Sequence, residues 1–321
     1  MAVAENAIAA SMSKATARPS PLLFLGSLLA IHLVWGSTYL AIRYAVETIP
    51  PLLTAGTRHL VAGGVLYLWM RGRGERPTVR EWRSALVLGV LYFLVSHGGL
   101  HWAEKVVPSG LAAVLIAIEP IFIALLMPIV LGGRRPSALT WIGFALGLTG
   151  VALLVQGGGS AAKPGYAVGA IVIVLSAFSW SVGVVYSRRA ALPRSPVLTS
   201  AMAMMSGAVL LLLAGLVTGE YRDLDLAAIV PRSALSLLYL IVFGSLVAFT
   251  AYNWLLDHVS PTLIATHTYT NPVVAVLLGW WLAGEALSAR ILLPGMFILA
   301  AILLVRRGTS SQAGQGTPTG D

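Results

Sequence analysis

The chain has 321 residues, of which 57% are hydrophobic and 10% charged, and its mean hydropathy is +0.84. A soluble domain carries about 25% charged residues to cover its surface, so the composition argues against a soluble fold and leaves a polytopic, all-α membrane protein. With no cysteine, disulfides, thiolate metal sites and cysteine nucleophiles are excluded; the net charge of +9 raises nucleic acid as a partner until the basic residues are located.

A helix needs about 20 apolar residues to cross a bilayer with its backbone satisfied internally. Ten stretches meet that requirement: Leu22–Ile42, Pro51–Met70, Ser84–His101, Pro108–Leu131, Leu139–Val155, Ala167–Tyr186, Leu198–Val217, Ala234–Leu255, Leu263–Leu282 and the short Ile291–Val305. The first reads as a retained span, not a cleaved leader, because of its length and its polar, aromatic end at Trp35–Tyr39. Tails at 1–21 and 306–321 are expected to be disordered. The short connections leave no room for an extramembrane domain.

Fourteen of the 21 basic residues fall on the side of the N-terminus, including Arg71, Arg73, Arg76, Arg80 and Arg83. Six fall on the other side, and Arg58 lies inside a span. Basic loops stay cytoplasmic, so both termini are expected in the cytoplasm of a multi-pass inner-membrane protein. The positive charge is thereby a topology signal, and no nucleic acid is expected as a partner.

The halves resemble each other weakly. A shift of 145 residues pairs Trp35 with Trp180 and Arg43 with Arg188; a shift of 152 pairs Trp102 with Trp254, Leu111 with Leu263, Pro120 with Pro272 and Gly132 with Gly284. The division is a five-helix repeat at 22–156, a glycine-rich linker at 157–165 and a second five-helix repeat at 166–305. An odd number of spans per repeat inverts the second relative to the first. Trp35 and Trp180 each lie about thirteen residues into their spans, roughly 20 Å, which places both near the midplane, with Pro120 and Pro272 at similar depth. Inverted repeats whose helices are interrupted at the midplane commonly build a site exposed alternately to each side.

The stretch Trp35–Gly36–Ser37–Thr38–Tyr39 with Arg43, then Pro50–Pro51 and AGTRHLVAGG around Arg58, resembles the start of an EamA-type permease of the drug/metabolite transporter superfamily. The likeness continues through VPSGLAAVLIAIEPIFIALL and SPTLIATHTYTNPVVAVLLGWWLAGE, and spans about Leu22 to Val305. It implies ten spans as two inverted five-helix repeats, a central cavity, export of a small metabolite, amino acid or drug-like compound, and an arginine of structural or gating role at position 58. Expected partners are a small-molecule substrate and the lipid bilayer, for a monomer or weak homodimer without a cofactor.

Against so apolar a background the intramembrane polar groups are the candidate site. An ionised carboxylate at mid-bilayer is costly, so Glu119 serves either as a site for a substrate amine or a proton, or as a structural partner of Arg58. The first reading uses the neighbouring Pro120, which opens the helix ladder. His97 and His101 share a face at i, i+4; with no HExxH motif or convergent carboxylate they make no metal site, and His97 is the cavity candidate. His59 reads as packing or interfacial, and His32 as a helix-to-helix hydrogen bonder.

The ninth stretch runs Thr266-His267-Thr268-Tyr269-Thr270-Asn271 before Pro272, which is tolerable only where a cavity or neighbours satisfy it. His267, Thr270 and Asn271 are the preferred face. Trp35, Tyr39 and Trp180 offer aromatic surface for a ligand or an organic cation. Trp102 and Trp254 suit the membrane interface, and Gly143 with Gly147 suits close helix packing.

These features favour a secondary transporter working by alternating access. No Walker A sequence is present, so ATP is not its direct energy source. A channel is the main alternative. An intramembrane enzyme would need a GxSxG or HExxH motif or a second intramembrane carboxylate, none of which is found, so no catalytic residue is assigned.

Overall fold

The computed structural model describes residues 20–132, 135–156, 164–259, 261–264 and 266–314, so the expectations for residues 1–19, 157–163 and 315–321 lie outside the described residues. Among the described residues the fold is all helix, without strands.

Ser20 caps α1 (Pro21–Ala45), accepting from Leu23 N at 3.2 Å, and Pro21 occupies the first helical position. α2 (Pro51–Gly72) likewise begins on a proline. α3 (Val79–Ala103) opens with a capping box in which Thr78 and Glu81 satisfy each other's backbone. α4 (Ser109–Leu131) is broken at Ala117–Ile118. There follow α5 (Ala138–Gln156), α6 (Tyr166–Ser187), α7 (Pro196–Val217) and α8 (Pro231–Leu255, continuing to His258). A single turn at Pro261–Ile264 precedes α9 (His267–Ala283), and α10 (Ala289–Gly314) ends the described chain. Three helices pass through π-helical segments, Ala30–Val34 in α1, Gly89–His97 in α3 and Leu240–Val247 in α8. Such wide turns occur frequently at functional sites.

Two expectations change. Among the described residues eight helices are long and apolar enough to cross a membrane, against the ten stretches counted in the sequence. α2 is diluted by Arg58, His59 and Arg71, and α9 has only 17 residues because the chain breaks before His267. The expected tail from Arg306 onward is helical as far as Gly314, since nothing in Arg306–Gly314 stops α10.

Packing is dominated by α5 against α10, α2 against α7, α6 against α4, α9 against α4 and α1, α3 against α6 and α7, and α8 against α1. Exchanging the first five helices for the last five maps α2·α7, α5·α10 and α4·α9 onto themselves and α1·α8 onto α6·α3. In the α2·α7 pair, Gly56 meets Leu212, Gly63 meets Met204 and Gly215 meets Leu53, so the two helices run antiparallel. The α5·α10 pair does the same, with Gly143 against Val305 and Gly150 against Pro294. Small residues permit that approach; the Gly143–Gly147 spacing therefore serves helix packing. The largest core joins α1, α4, α6 and α10 through Ile42, Leu115, Ile121, Ile173 and Ile298. Leu22, Leu68, Ile129, Val217 and Trp281 stand exposed on the outside, as a lipid-facing surface requires.

Candidate functional site

Glu119 begins the second half of α4, directly after the break. Pro120 falls in the first turn of that half, where its missing N–H costs nothing, so the chain breaks before the proline. Among the described residues the Glu119 carboxylate has no ion pair and no hydrogen-bond donor; Ser181 on α6 bonds its backbone oxygen at 3.2 Å. The hydroxyls of Tyr39 on α1, Tyr92 on α3 and Tyr252 on α8 all lie within its electrostatic reach. These phenols come from both halves of the chain.

Aromatic rings extend this centre on both sides. Trp180 lies against Tyr92, with centroids 4.3 Å apart, and stacks on His97 at 5.5 Å and 13°. Trp35 meets Tyr252, His267 and Phe249 at 5.3, 5.1 and 5.4 Å, and its Nε1–H donates to Gly244 O in the π segment of α8 at 3.2 Å. Trp35, Tyr39, Tyr92, His97, Glu119, Trp180, Tyr252 and His267 are all half-buried, as groups lining an internal space are.

The structure therefore brings together six of the residues singled out from sequence: Trp35, Tyr39, His97, Glu119, Trp180 and His267. Thr270 and Asn271 are placed differently. Thr270 Oγ1 donates back to His267 O at 3.2 Å. Asn271, with its amide oriented by its surroundings, donates to His267 O and His32 O at 3.1 Å each, tying α9 to the π segment of α1. His32 completes that junction through Thr266 Oγ1 at 2.9 Å. Pro272 is buried inside α9 and causes no interruption; the break comes earlier, before His267. Tyr92 and Tyr252 were not anticipated, since nothing in their local sequence distinguishes them.

Arg58 is not the partner of Glu119. It is buried, donates Nε–H to Ser245 Oγ on α8 at 3.0 Å, and the acid within its electrostatic reach is Glu104. His59 is fully buried, with Nε2 2.8 Å from His97 Nδ1, a contact that replaces its expected packing or interfacial role. His101 is buried as well, and its Nδ1 donates to His97 O at 2.7 Å. Glu104, one residue beyond α3, is 0% exposed, and neither carboxylate oxygen has a hydrogen-bond partner. Burial, reinforced by the charge of Glu285, pushes its carboxyl well above the usual carboxylate range, against the opposing pull of Arg43. A second buried carboxylate thus exists where the sequence reading found none. Its neighbour Lys105 made the segment look like a solvated loop.

The end of the bundle holding the loops after α1, α3, α7 and α9 is closed by bonds between the two halves. Glu285 accepts from Ser109 N, Ser109 Oγ and Gly110 N at 2.7, 2.8 and 2.9 Å, capping α4. Glu220 accepts from Leu52 N and Leu53 N at 2.9 and 3.3 Å, capping α2. Arg232 pairs with Glu47, and Tyr44 Oη donates to Leu282 O at 2.8 Å. A cavity of about 270 Å³ lies here, lined by Arg43, Tyr44, Glu47, Arg232 and Glu285 among others.

The chain matches the EamA-like transporter family over residues 22–156 and 167–307. It is 40% identical over 286 residues to a protein of Escherichia coli (strain K12) described as "Uncharacterized inner membrane transporter YedA", covering 88% of this chain and 90% of that one. It is 26% identical to "Protein PecM" of Dickeya dadantii (strain 3937), covering 85% and 89% of the two. A solved structure, "Crystal structure of protein", superposes with a TM-score of 0.59 at 22% identity, covering 88% of this chain and 96% of that one, a likeness of fold alone. The repeated match and the length of the shared sequence make this chain a member of the EamA-like transporter family.

Proposed function

We propose that the chain is an inner-membrane secondary transporter that exports a small amphipathic solute bearing an amine or other cationic group, by alternating access. Glu119 meets the cation, Tyr39, Tyr92 and Tyr252 supply hydroxyls beside it, and Trp35, Trp180, His97 and His267 hold the apolar part. The observation that carries this reading is the Glu119 carboxylate, unpaired among the described residues, with the phenols of Tyr39, Tyr92 and Tyr252 within its electrostatic reach and Tyr92 and Tyr252 packed against Trp180 and Trp35. A buried carboxylate facing aromatic surfaces suits a cation.

In this reading α2 and α9 also cross, which makes ten spans in two inverted five-helix repeats, 22–156 and 166–305. The antiparallel α2·α7 and α5·α10 pairs support the inversion. The excess of Arg and Lys on the loops beside the N-terminus supports cytoplasmic termini. The bonded end at Glu47, Glu220 and Glu285 is then the outer one, closed in this conformation. The inner-membrane transporter name of the Escherichia coli relative agrees.

Counterflow in proteoliposomes tests this reading, with phenethylamine, amino acids and uncharged metabolites as solutes. Saturable counterflow of the amines, lost in Glu119→Gln, is expected. Flux linear in concentration without counterflow would overturn it in favour of a channel.

A further inference from the structure

Apart from His97, the buried polar groups beside α3, namely Arg58, His59, His101 and Glu104, fall outside the substrate centre. The second repeat builds the same helices without them. At the shift of 152, His97, His101 and Glu104 correspond to Phe249, Asn253 and Leu256, and at the shift of 145, Arg58 and His59 correspond to Ala203 and Met204. Methionine at position 204 is as fully buried as His59. The five-helix fold is thus compatible with apolar groups at most of these positions, and the first repeat bears the cost of burying titratable ones.

The hydrogen bonds define their protonation. A carbonyl only accepts, so His101 Nδ1 carries the hydrogen given to His97 O, and the neutral ring leaves a lone pair on Nε2. That nitrogen and His59 Nδ1 are buried without a partner. One proton occupies the 2.8 Å gap between His59 Nε2 and His97 Nδ1. His97 in turn stacks on Trp180 at the substrate centre. Three residues beyond His101, both Glu104 oxygens are unpartnered. Arg43 bonds the backbone oxygen of Glu104 at 2.7 Å, not its carboxylate. An ionised carboxylate without a donor is far more costly than a neutral acid.

We propose that Glu104, with the His101–His97–His59 column beside it, is a proton site distinct from Glu119 that couples the proton gradient to solute movement; this rests on the transporter reading above. With the bonded end open, Glu104 is a carboxylate held by Arg43 and Arg58 and takes a proton from hydronium on the outer side; closing that end buries the neutral acid. When the opposite end opens, the O–H proton passes to water on the cytoplasmic side and leaves the carboxylate, so a proton enters as solute leaves. The groups facing the site are Tyr39 and Arg43 from α1, Arg58 and His59 from α2, Ser245 from α8, Trp180 from α6, and Glu285 after α9. Lys105 adjoins it in sequence. Arg58 and Arg43 bring enough positive charge to receive the carboxylate once it ionises.

Glutamine mimics the neutral acid and leaves the closed state intact, so Glu104→Gln separates a titrating group from a structural one. In proteoliposomes carrying the full chain, an infrared pH titration without solute is expected to show a carboxyl band that disappears at high pH, persists in Glu119→Gln and is missing in Glu104→Gln. The variant is also expected to keep phenethylamine counterflow and to lose at least tenfold of the accumulation driven by a pH gradient. A titrating band unchanged in Glu104→Gln, a Glu104 band that never titrates, or a full gradient response in the variant overturns the proposal. Wild-type counterflow without any gradient response overturns it too. Should phenethylamine not be carried at all, the transporter reading fails by itself while the infrared titration still decides the proton site.

Discussion

His59 Nε2 and His97 Nδ1 lie 2.8 Å apart across the α2–α3 interface, close enough that one N–H must serve both rings. Each histidine therefore fixes the tautomer of the other. Replacing either by leucine leaves a buried nitrogen without its partner, at a cost of about 1–3 kcal/mol. The double replacement orphans neither ring, so its cost is expected to fall below the sum of the two. Equilibrium unfolding of the four proteins in detergent measures the coupling; additive losses would mean that the bond contributes nothing.

The closed end depends on Glu285, which accepts three hydrogen bonds at the start of α4 across the boundary between the halves. Charge-assisted bonds of this kind are individually stronger than neutral ones. Glu285→Ala is expected to shift the population toward the state open at this end, without unfolding the chain. The absence of native cysteine makes the measurement direct: a cysteine at Ala41, buried in α1 near this end, becomes several-fold faster to alkylate when Glu285 is removed. Equal labelling rates would show that the caps do not hold the end shut.

Gly89, at the start of the π segment of α3, touches the α7 backbone. A Cβ there would stand 2.7 Å from Gly207 N, and a backbone nitrogen in a packed helix has nowhere to move. Gly89→Ala is expected to cost about 1–3 kcal/mol through forced separation of α3 and α7. The same exchange at Gly64, where a Cβ would meet nothing within 4 Å, is expected to be neutral or slightly stabilising because alanine favours the helix. Thermal unfolding of the two variants side by side tests the contrast; similar melting temperatures would refute the close contact.

Much of this architecture could be read from residue chemistry. Glu119 stood out because a charge inside an apolar stretch has few places to go, and Trp35 and Trp180 because the repeat set them at equal depth. What escaped detection depended on helix phase. Tyr92 lies within a π segment and Tyr252 follows one, where an extra residue per turn rotates what comes after relative to an ideal helix. Asn271 shares a helical face with His267 and Thr270, and only the nearby carbonyls of His32 and His267 show that its amide is used within the fold. Glu104 was hidden differently: burial at the end of a span is set by neighbouring helices, and beside Lys105 nothing local distinguishes a sealed carboxylate from a solvated one.

Asn271 gives the sharpest separation between holding the fold and holding the solute. Its amide bridges His32 O, in the π segment of α1, and His267 O, in the first turn of α9. The wide turn of a π segment makes backbone carbonyls available to such donors. Asn271→Ala removes two hydrogen bonds but leaves acceptors, which tolerate loss better than N–H groups, so a stability loss of about 1–2 kcal/mol is expected. The solute concentration for half-maximal counterflow should stay unchanged. Trp180→Ala is expected to show the converse emphasis: it removes the ring stacked on His97 and packed against Tyr92 and weakens amine counterflow by roughly 3- to 30-fold, matching a loss of about 0.5–2 kcal/mol of cation–π attraction. Measuring melting temperature and half-saturation for both variants decides between the roles. A large rise in half-saturation for Asn271→Ala at unchanged stability would return Asn271 to the solute site and make the α1–α9 bridge incidental.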